Sequence, residues 1–348
     1  MRVALLGVKG DFDKAQGKGV QRYMYEMYKR MRSERNVQVD KVETERTFIG
    51  NGLSFLAGNL FRNFNDYDII HSMDQKPLIP FLKGKAVKIT TAQDLRAILQ
   101  NRHNTSSAKD ILWIPINMLG MRSVLMSDYI IAGSTQTREE LIELGYDRSR
   151  VTVINHGIDE RYLKNSKTKK KASGRRFKVG YLGSFEMNKN VVFAINAFKK
   201  AEGEGMEFEV WGKQTGEYQN LLKAAEDDKR IIFKGFAPEE EIVDIYDSFD
   251  AFVFPSKYEG FGIPIIEAQA RGLPVIICKD SLIPREVRKY CLEAKDEAEM
   301  ARIITKLKRD GYDKRHRDMV QTYARAFTWS KTIKETLVLY KKILLNKR

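Results

Sequence analysis

The chain is poor in the residues that build disulfide frameworks and metal centres. Its 348 residues include two cysteines, Cys278 and Cys291, too few for a disulfide framework or a four-ligand zinc site. The histidines are scattered without the spacing of metal ligands, at His71, His103, His156 and His316. The sequence therefore predicts no metal site, and a reducing compartment suits the two cysteines.

Long hydrophobic runs are also missing. No stretch approaches the roughly 20 apolar residues that a helix needs to cross a bilayer. The first residues, "MRVALLGVKGDF", pass from a short apolar run into Gly, Lys and Asp, without the cleavage site of a secretory signal. We expect a cytoplasmic protein that is neither secreted nor inserted in a membrane.

Acidic residues are in deficit, because 61 Lys and Arg face 46 Asp and Glu and give a formal net charge of +15. Such a charge attracts polyanions, either nucleic acid or acidic lipid. A nucleic-acid-binding protein would interleave stacking aromatics with Arg and Lys, and no such segment is visible. Core helices explain the apolar runs at 51–64 and 111–126, but these runs beside basic residues also suit a peripheral contact with anionic membrane.

The sequence does contain a regular alternation of strands and helices. Short apolar runs that end in polar or glycine-containing loops, such as "RVALLG" and "DYIIAGS", indicate buried strands, and helical stretches lie between them. A second series of the same kind begins at "FKVGYLGS", after a basic segment. The predicted fold class is α/β, with two Rossmann-like parallel-sheet domains.

The same pattern predicts the domain bounds. We expect an N-terminal domain over 1–162, a basic linker over 163–176 and a second domain over 177–327. Residues 328–348 are predicted to form a terminal helix that packs back across the domain junction. Its apolar face would consist of Ile333, Leu337, Tyr340 and Leu344.

The stretch "YEGFGIPIIEAQARGLPVII", residues 258–277, has the features of an anion site. It follows the strand "DAFVFPS", and Pro264 suits the first turn of the helix that comes next. Gly260 and Gly262 permit backbone conformations that bring amides close to a ligand. With the free N–H groups of the helix start, the turn predicts a phosphate site at the carboxyl end of a strand.

Two carboxylates, Glu259 and Glu267, flank this turn. Either one alone would most simply be an exposed or capping carboxylate near a helix start. Their joint spacing around the glycine turn favours binding of hydroxyl groups instead, because a carboxylate accepts hydrogen bonds from both hydroxyls of a vicinal diol. A nucleotide-sugar, with two sugars flanking a diphosphate, matches this arrangement.

The stretch "PSKYEGFGIPIIEAQARGLPVI" closely resembles the E-x7-E region of the retaining nucleotide-sugar glycosyltransferases of family 4. "KGVQRYMYEM", "VTVINHGID" and "GYLGSFEMNKNVVFAINAFKK" are similar to further family segments, in order along nearly the whole chain. The resemblance implies the GT-B fold, in which two Rossmann-like domains face each other across a cleft. It also implies transfer of a hexose from a UDP- or GDP-sugar to an acceptor hydroxyl.

The acceptor would belong to glycolipid, lipid-linked oligosaccharide or cell-envelope polysaccharide synthesis. A phosphorylase or epimerase on the same fold stays open, because the E-x7-E site holds a donor without fixing its acceptor. The family generally uses no catalytic metal, and no cofactor is expected. Lys189 and Lys257 could supply the positive charge that a metal supplies in other transferases.

The resemblance also implies roles for individual residues. Glu259, Gln93 and Lys189 would act in catalysis, Glu259 beside the transferred sugar and Lys189 on the diphosphate. Glu267 would hold the ribose. The remaining donor contacts would come from Gly17 and Gly19 of the N-domain, Gly183 and Ser184 of the phosphate loop, and Gly260, Phe261, Gly262 and Ile263 of the turn.

The chain departs from the family pattern at three positions. Ser184 stands where many members have arginine after the glycine of the phosphate loop, and Asn188 precedes the lysine where arginine is common. Gln93, in "TAQDL", occupies the place of a histidine near the reacting sugar. Because glutamine donates and accepts hydrogen bonds but does not titrate, no general base is assigned.

Overall fold

The computed structural model describes residues 1–13, 19–44, 63–74, 84–95, 124–164, 174–214 and 216–347. The chain forms two compact units, one of Met1–Gly157 with Trp329–Arg348 and the other of Ile158–Thr328. The domain bounds drawn from the sequence, and the basic linker, stay predictions because residues 165–173 lie outside the described residues.

Both units are built from parallel strands joined by helices. The strands are β1 Arg2–Val8, β2 Gln38–Thr44, β3 Ile69–Ser72, β4 Val87–Ala92, β5 Tyr129–Ala132, β6 Val151–Val153, β7 Phe177–Leu182, β8 Met206–Trp211, β9 Ile231–Gly235, β10 Ala251–Phe254, β11 Val275–Cys278 and β12 Leu292–Ala294. The described helices are α1 Gly19–Met31, α2 Thr135–Glu143, α3 Val191–Lys200, α4 Tyr218–Ala225, α5 Ile242–Ser248, α6 Ile263–Ala270, α7 Arg285–Arg288, α8 Glu297–Asp310, α9 Lys314–Ala324 and α10 Trp329–Asn346.

The first unit contains a six-stranded sheet in the order β2-β1-β3-β4-β5-β6, and every pairing in it is parallel. Alternate residues of β1 enter different core clusters, Val3 and Leu5 on one face and Ala4 and Leu6 on the other. Burial on both faces explains why this strand is a continuous apolar run.

The terminal helix α10 belongs to the core of this first unit. Ile333, Leu337 and Tyr340 are buried in the same cluster as Val3 and Leu5, and Leu344 packs against that cluster from a half-buried position. The apolar face predicted from the sequence is therefore confirmed. Packing against a sheet, and not helix propensity alone, holds such an amphipathic helix in place.

The second unit contains a six-stranded parallel sheet in the order β12-β11-β10-β7-β8-β9. Renumbered within the unit, this is the 3-2-1-4-5-6 order of dinucleotide-binding Rossmann sheets. The order reverses between β7 and β10, which are hydrogen-bonded neighbours. Ligands of such sheets bind outside the carboxyl ends of the strands at this reversal, so the loops after β7 and β10 define where to look.

Side-chain caps mark several helix starts. The hydroxyl of Ser134 accepts from the amide of Thr137 at 3.1 Å, and the carboxylates of Asp296 and Asp313 accept from Glu299 and His316 amides at 2.7 and 2.8 Å. Each cap satisfies an amide that the first helical turn leaves without a backbone partner. Helix α6, at the reversal of the second sheet, begins without such a side-chain cap.

Candidate active site

The loop after β10 carries the glycine turn. Strand β10 ends at Phe254, and helix α6 starts at Ile263 with Pro264 in its first turn, as the sequence predicts. Gly262 precedes the helix with φ +101°, a left-handed conformation that favours glycine. The side chain of Phe261 is buried, and its ring centroid lies 5.9 Å from that of Phe327. Packing of Phe261 against Phe327 therefore anchors the turn to the core of the second unit.

The loop after β7 holds the second set of predicted residues. The amide of Gly183 donates to Trp211 O at 3.0 Å, and a Cβ at Gly183 would lie 2.8 Å from the hydroxyl oxygen of Tyr181. That hydroxyl donates to Ser184 O at 2.7 Å, which fixes the backbone of the loop. A side chain at position 183 would displace Tyr181, so glycine is required there for steric reasons.

Lys189 and Glu259 form an ion pair between these two loops. Lys189 ends a 3-10 turn, Met187–Lys189, and its Nζ lies 2.6 Å from Glu259 Oε1. The loops are also joined through the backbone, because the Lys257 amide donates to Asn188 O at 2.9 Å. Both paired side chains are mostly buried, 18% and 13% exposed. The structure thus brings together two residues that the sequence assigns to the diphosphate and the transferred sugar.

Glu267 lies in the second turn of α6 and is 3% exposed. The hydroxyl of Tyr246, on α5, donates to its Oε2 at 3.1 Å. Tyr246 is fully buried and lies edge-on to Phe252 of β10, with ring centroids 5.3 Å apart. The sequence does not predict this partner, because Tyr246 reads only as one apolar position of a helix.

In the first unit, Gln93 follows β4 and is buried. Its side-chain amide donates to Met73 O at 3.0 Å. This hydrogen bond joins the segments that follow the carboxyl ends of β3 and β4. Gly19 is the first residue of α1. Gly17 lies outside the described residues, so the predicted donor loop is seen only from Gly19 onward.

A buried polar network below Gln93 was not predicted. The hydroxyls of Tyr23 on α1 and Thr91 on β4 share a hydrogen bond of 3.1 Å. Thr91 Oγ1 also lies 2.7 Å from Nε2 of His71, whose Nδ1 lies 2.5 Å from the hydroxyl of Tyr340 on α10. Burial lowers the pKa of His71 to about 3, so the imidazole is neutral and has one donor and one acceptor nitrogen.

His156 is a further buried histidine of the first unit. It follows β6 and is buried, with its ring 4.9 Å from that of Tyr23 and 6.2 Å from that of Trp329. A Cβ at Gly133 would lie 2.7 Å from His156 Nε2, so a glycine there makes room for the imidazole. Burial lowers the pKa of His156 to about 4. The residue packs as a neutral ring within the first unit.

Within the described ranges, no group of three or more His, Cys, Asp or Glu side chains is placed to hold a metal ion. No helix of the described part is long and apolar enough to cross a bilayer. Cys278 and Cys291 are not joined in a disulfide.

Two family models match adjacent parts of the chain. "Glycosyltransferase Family 4" matches residues 46–162, and "Glycosyl transferases group 1" matches residues 164–327. Among curated proteins, O-antigen chain mannosyltransferase B of Escherichia coli is 26% identical over 228 residues, which cover 61% of this chain and 60% of that protein. The chain spans about half to three fifths of the length of such curated relatives.

Solved structures match over nearly the whole chain. Sucrose-phosphate synthase from Thermosynechococcus elongatus superposes with a TM-score of 0.80 at 16% identity, covering 99% of both chains. The Anabaena protein HepE in complex with UDP-glucose gives a TM-score of 0.73 at 17% identity and covers 98% of this chain and all of that one. At these identities the likeness concerns the fold.

Proposed function

Since the chain belongs to the family 4, group 1 glycosyltransferases of the GT-B fold, we propose that it moves a hexose from a nucleoside-diphosphate sugar to an acceptor hydroxyl with retention of anomeric configuration. The observation that carries this proposal is the Lys189–Glu259 pair, 2.6 Å apart at the reversal of the second sheet. One cation and one carboxylate at a ligand-binding edge are what a charged leaving group beside a neutral sugar requires.

The pair suggests how donor binding and catalysis are linked. A diphosphate at the glycine turn of α6 would compete with Glu259 for the ammonium group of Lys189. Lys189 would then neutralise charge on the leaving diphosphate, a role that needs no metal ion. Glu259, no longer held by Lys189, would accept hydrogen bonds from sugar hydroxyls and stabilise positive charge at the anomeric carbon.

The neutral residues of the first unit fit the same reaction. Gln93 would hydrogen-bond the transferred sugar, and Gly17 and Gly19 would contribute contacts to the donor. Because Gln93 cannot take a proton, we propose that the departing diphosphate oxygen, on the same face as the incoming hydroxyl, accepts it. Retention then follows without a protein base.

The relatives support a donor and a pathway. HepE is described in complex with UDP-glucose, and the Escherichia coli relative is a mannosyltransferase of O-antigen chains. We propose a UDP- or GDP-hexose donor and an acceptor in glycolipid, lipid-linked oligosaccharide or envelope polysaccharide synthesis. A cytoplasmic enzyme in peripheral contact with anionic membrane, without metal or cofactor, fits this proposal.

A donor screen tests it. The protein is incubated with a panel of UDP- and GDP-hexoses, and thermal protection and release of nucleoside diphosphate are measured with and without EDTA. We expect one nucleotide class to raise the melting temperature and one sugar to be turned over, equally in EDTA. NMR of the product should show the anomeric configuration of the donor. An inverted product, or a chain that binds neither nucleotide, would contradict the proposal.

A further inference from the structure

A cavity of about 540 Å³ opens at the amino edge of the second sheet, where its strands begin. Its wall combines the residues just before β7, β8 and β10 with the end of α8 and the start of α9. The Lys189–Glu259 pair lies at the opposite, carboxyl edge, and the six residues of β7 separate the two edges by about 20 Å. The cavity is therefore separate from the candidate active site.

Basic side chains dominate the wall of this cavity. Its charged residues are four cations and two acids: Arg175, Arg176, Lys308 and Arg317, with Glu204 and Asp250. Arg175 and Asp250 neutralise each other, because Nη2 of the arginine lies 2.8 Å from both carboxylate oxygens. Three cations then face one acid, so the wall favours an anion.

The three remaining cations lack a strong carboxylate partner. Arg176 Nη1 lies 3.8 Å from Glu207 Oε2, at the limit of an ion pair, and the arginine side chain is 62% exposed. Lys308 donates to the backbone carbonyl of Glu204. Within the described ranges, neither Lys308 nor Arg317 forms an ion pair with a carboxylate. Their positive charge can therefore act on a ligand in the cavity.

Glycines bring two of these cations against the backbone. A Cβ at Gly203, where φ is +115°, would lie 2.6 Å from Lys308 Nζ. A Cβ at Gly272, where φ is +73°, would lie 2.7 Å from Arg317 Cγ. Such packing restricts a long side chain before any ligand arrives, which lowers the conformational entropy that binding costs.

Two half-buried aromatic residues, Phe177 and Tyr312, complete the wall. Burial raises the pKa of Tyr312 to about 12, so its hydroxyl stays protonated and can donate a hydrogen bond. The volume is that of a small-molecule site and is larger than a phosphate ion fills. Guanidinium and ammonium groups bind phosphate oxygens, and aromatic rings offer apolar area to an organic group attached to the phosphate.

We infer that this cavity binds a small phosphate ester, with the phosphate on Arg176, Lys308 and Arg317 and the organic group against Phe177 and Tyr312. The ligand is distinct from the nucleotide-sugar donor, and the inference does not depend on the proposed function. Because the bound anion offsets repulsion among the cations and binds only the folded chain, it stabilises the second unit.

Thermal scans and calorimetry test the inference without any turnover. The protein is titrated with glucose 6-phosphate, glycerol 3-phosphate and inorganic phosphate, and with sodium chloride at equal ionic strength. We expect an ester to raise the melting temperature and to bind roughly tenfold more tightly than inorganic phosphate, because only the ester contacts the rings. Sodium chloride should not reproduce the stabilisation.

Matched variants locate the site. Arg317→Gln and Lys308→Gln should each weaken ester binding about ten- to a hundredfold, because each loses a hydrogen bond between charged groups. Arg315→Gln and Lys306→Gln remove the same charge from exposed positions of the same helices outside the cavity wall, and they should bind the ester like the parent. Equal losses in the control variants, or a parent that binds neither ester, would overturn the inference.

Nucleotide competition separates this cavity from the donor site. In saturating UDP or GDP the ester should bind as before, and Arg317→Gln should keep the nucleotide affinity of the parent. If the nucleotide displaces the ester, the ester occupies the donor site and the inference is wrong. It is also wrong if inorganic phosphate binds as tightly as both esters. A parent protein that turns over no nucleotide-sugar refutes the proposed function alone.

Discussion

Each of the two sheets carries polar groups at its own carboxyl edge, where its parallel strands end, and these groups differ between the sheets. In the second unit the edge holds the ion pair of Lys189 and Glu259, partly open to solvent. In the first unit it holds the neutral amide of Gln93, above the neutral imidazole of His71. The difference teaches that the second unit presents a cation paired with a carboxylate at this edge, whereas Gln93 and His71 of the first unit act through neutral hydrogen bonds, although the acids Asp74 and Asp94 lie near them in sequence.

The largest effect should come from removing the carboxylate of Glu259, which pairs with Lys189 at the carboxyl edge of the second sheet. Glu259→Gln keeps the size of the side chain and loses its charge, so stabilisation of a positively charged sugar is lost in the transition state. We expect kcat to fall about 10²- to 10³-fold. Affinity for the nucleoside diphosphate, measured by calorimetry, should stay near normal because Lys189 remains.

Glu186→Gln is the matched control for this change. It removes a carboxylate that precedes the Met187–Lys189 turn but leaves the Lys189–Glu259 ion pair intact. If Glu259→Gln transfers sugar at the wild-type rate, the carboxylate of Glu259 has no special part in turnover. The same conclusion holds if Glu259→Gln and Glu186→Gln lose equal activity.

Glu267→Ala should act on nucleotide binding. Loss of hydrogen bonds to a charged acceptor is expected to weaken nucleoside diphosphate affinity by roughly ten- to a hundredfold. Tyr246→Phe removes only the hydroxyl that donates to Glu267 Oε2 and should have a smaller effect. If a folded Glu267→Ala protein binds the nucleotide as tightly as the parent, the ribose assignment is refuted.

Variants of Gln93 test whether the first unit takes part in sugar transfer. Gln93→Ala removes one neutral hydrogen bond and should lower sugar transfer about three- to tenfold. Gln93→His introduces a group with an ordinary pKa near 6.5, and we expect a new inflection in the pH–rate profile in that region. A fall in melting temperature without any change in transfer would make Gln93 a structural residue tied to Met73.

The last prediction concerns the stability of the fold against acid, with no effect on turnover at neutral pH. The folded-state pKa of His71, about 3, lies below the unfolded value of 6.5, so the unfolded chain takes up the proton first. The stabilisation is complete above pH 6.5 and is lost as the pH falls toward 3. Between pH 7 and pH 5, the free energy of unfolding should therefore fall by about 1–2 kcal/mol more in the parent than in His71→Gln.

Tyr340→Phe is the control for this prediction, since it removes the hydroxyl beside His71 Nδ1 but keeps the titrating imidazole. It should be less stable than the parent at every pH, with a similar slope. Thermal scans at the two pH values measure both variants, and equal slopes for His71→Gln and parent would contradict burial of a neutral histidine.

The sequence predicts the interior strands and the start of helix α6 well. Strands such as β1 and β10 are buried on both faces and read as continuous apolar runs, and Gly262 with Pro264 marks the helix start. The edge strands β2 and β12 lack such apolar runs. Their sequences, "QVDKVET" and "LEA", mix polar and apolar residues because each pairs on one side within its described sheet.

Partnerships between distant residues were beyond the reach of the sequence. Resemblance to a family names Lys189 and Glu259, but their direct contact spans 70 positions and depends on the strand order. The contact of His71 with Tyr340 spans 269 positions, and periodicity treats Tyr340 only as an apolar face residue. Such pairings follow from topology, which local patterns do not encode.

The terminal helix has a consequence for the order of events during synthesis. The first unit's core includes Trp329, Ile333 and Tyr340, which emerge from the ribosome after the entire second unit. The second unit, Ile158–Thr328, is continuous and can fold as soon as it is made, whereas the first must wait with an unfinished core. We expect a nascent chain stopped before Trp329 to display a folded second unit and a first unit that still attracts chaperones, although its residues were made earliest.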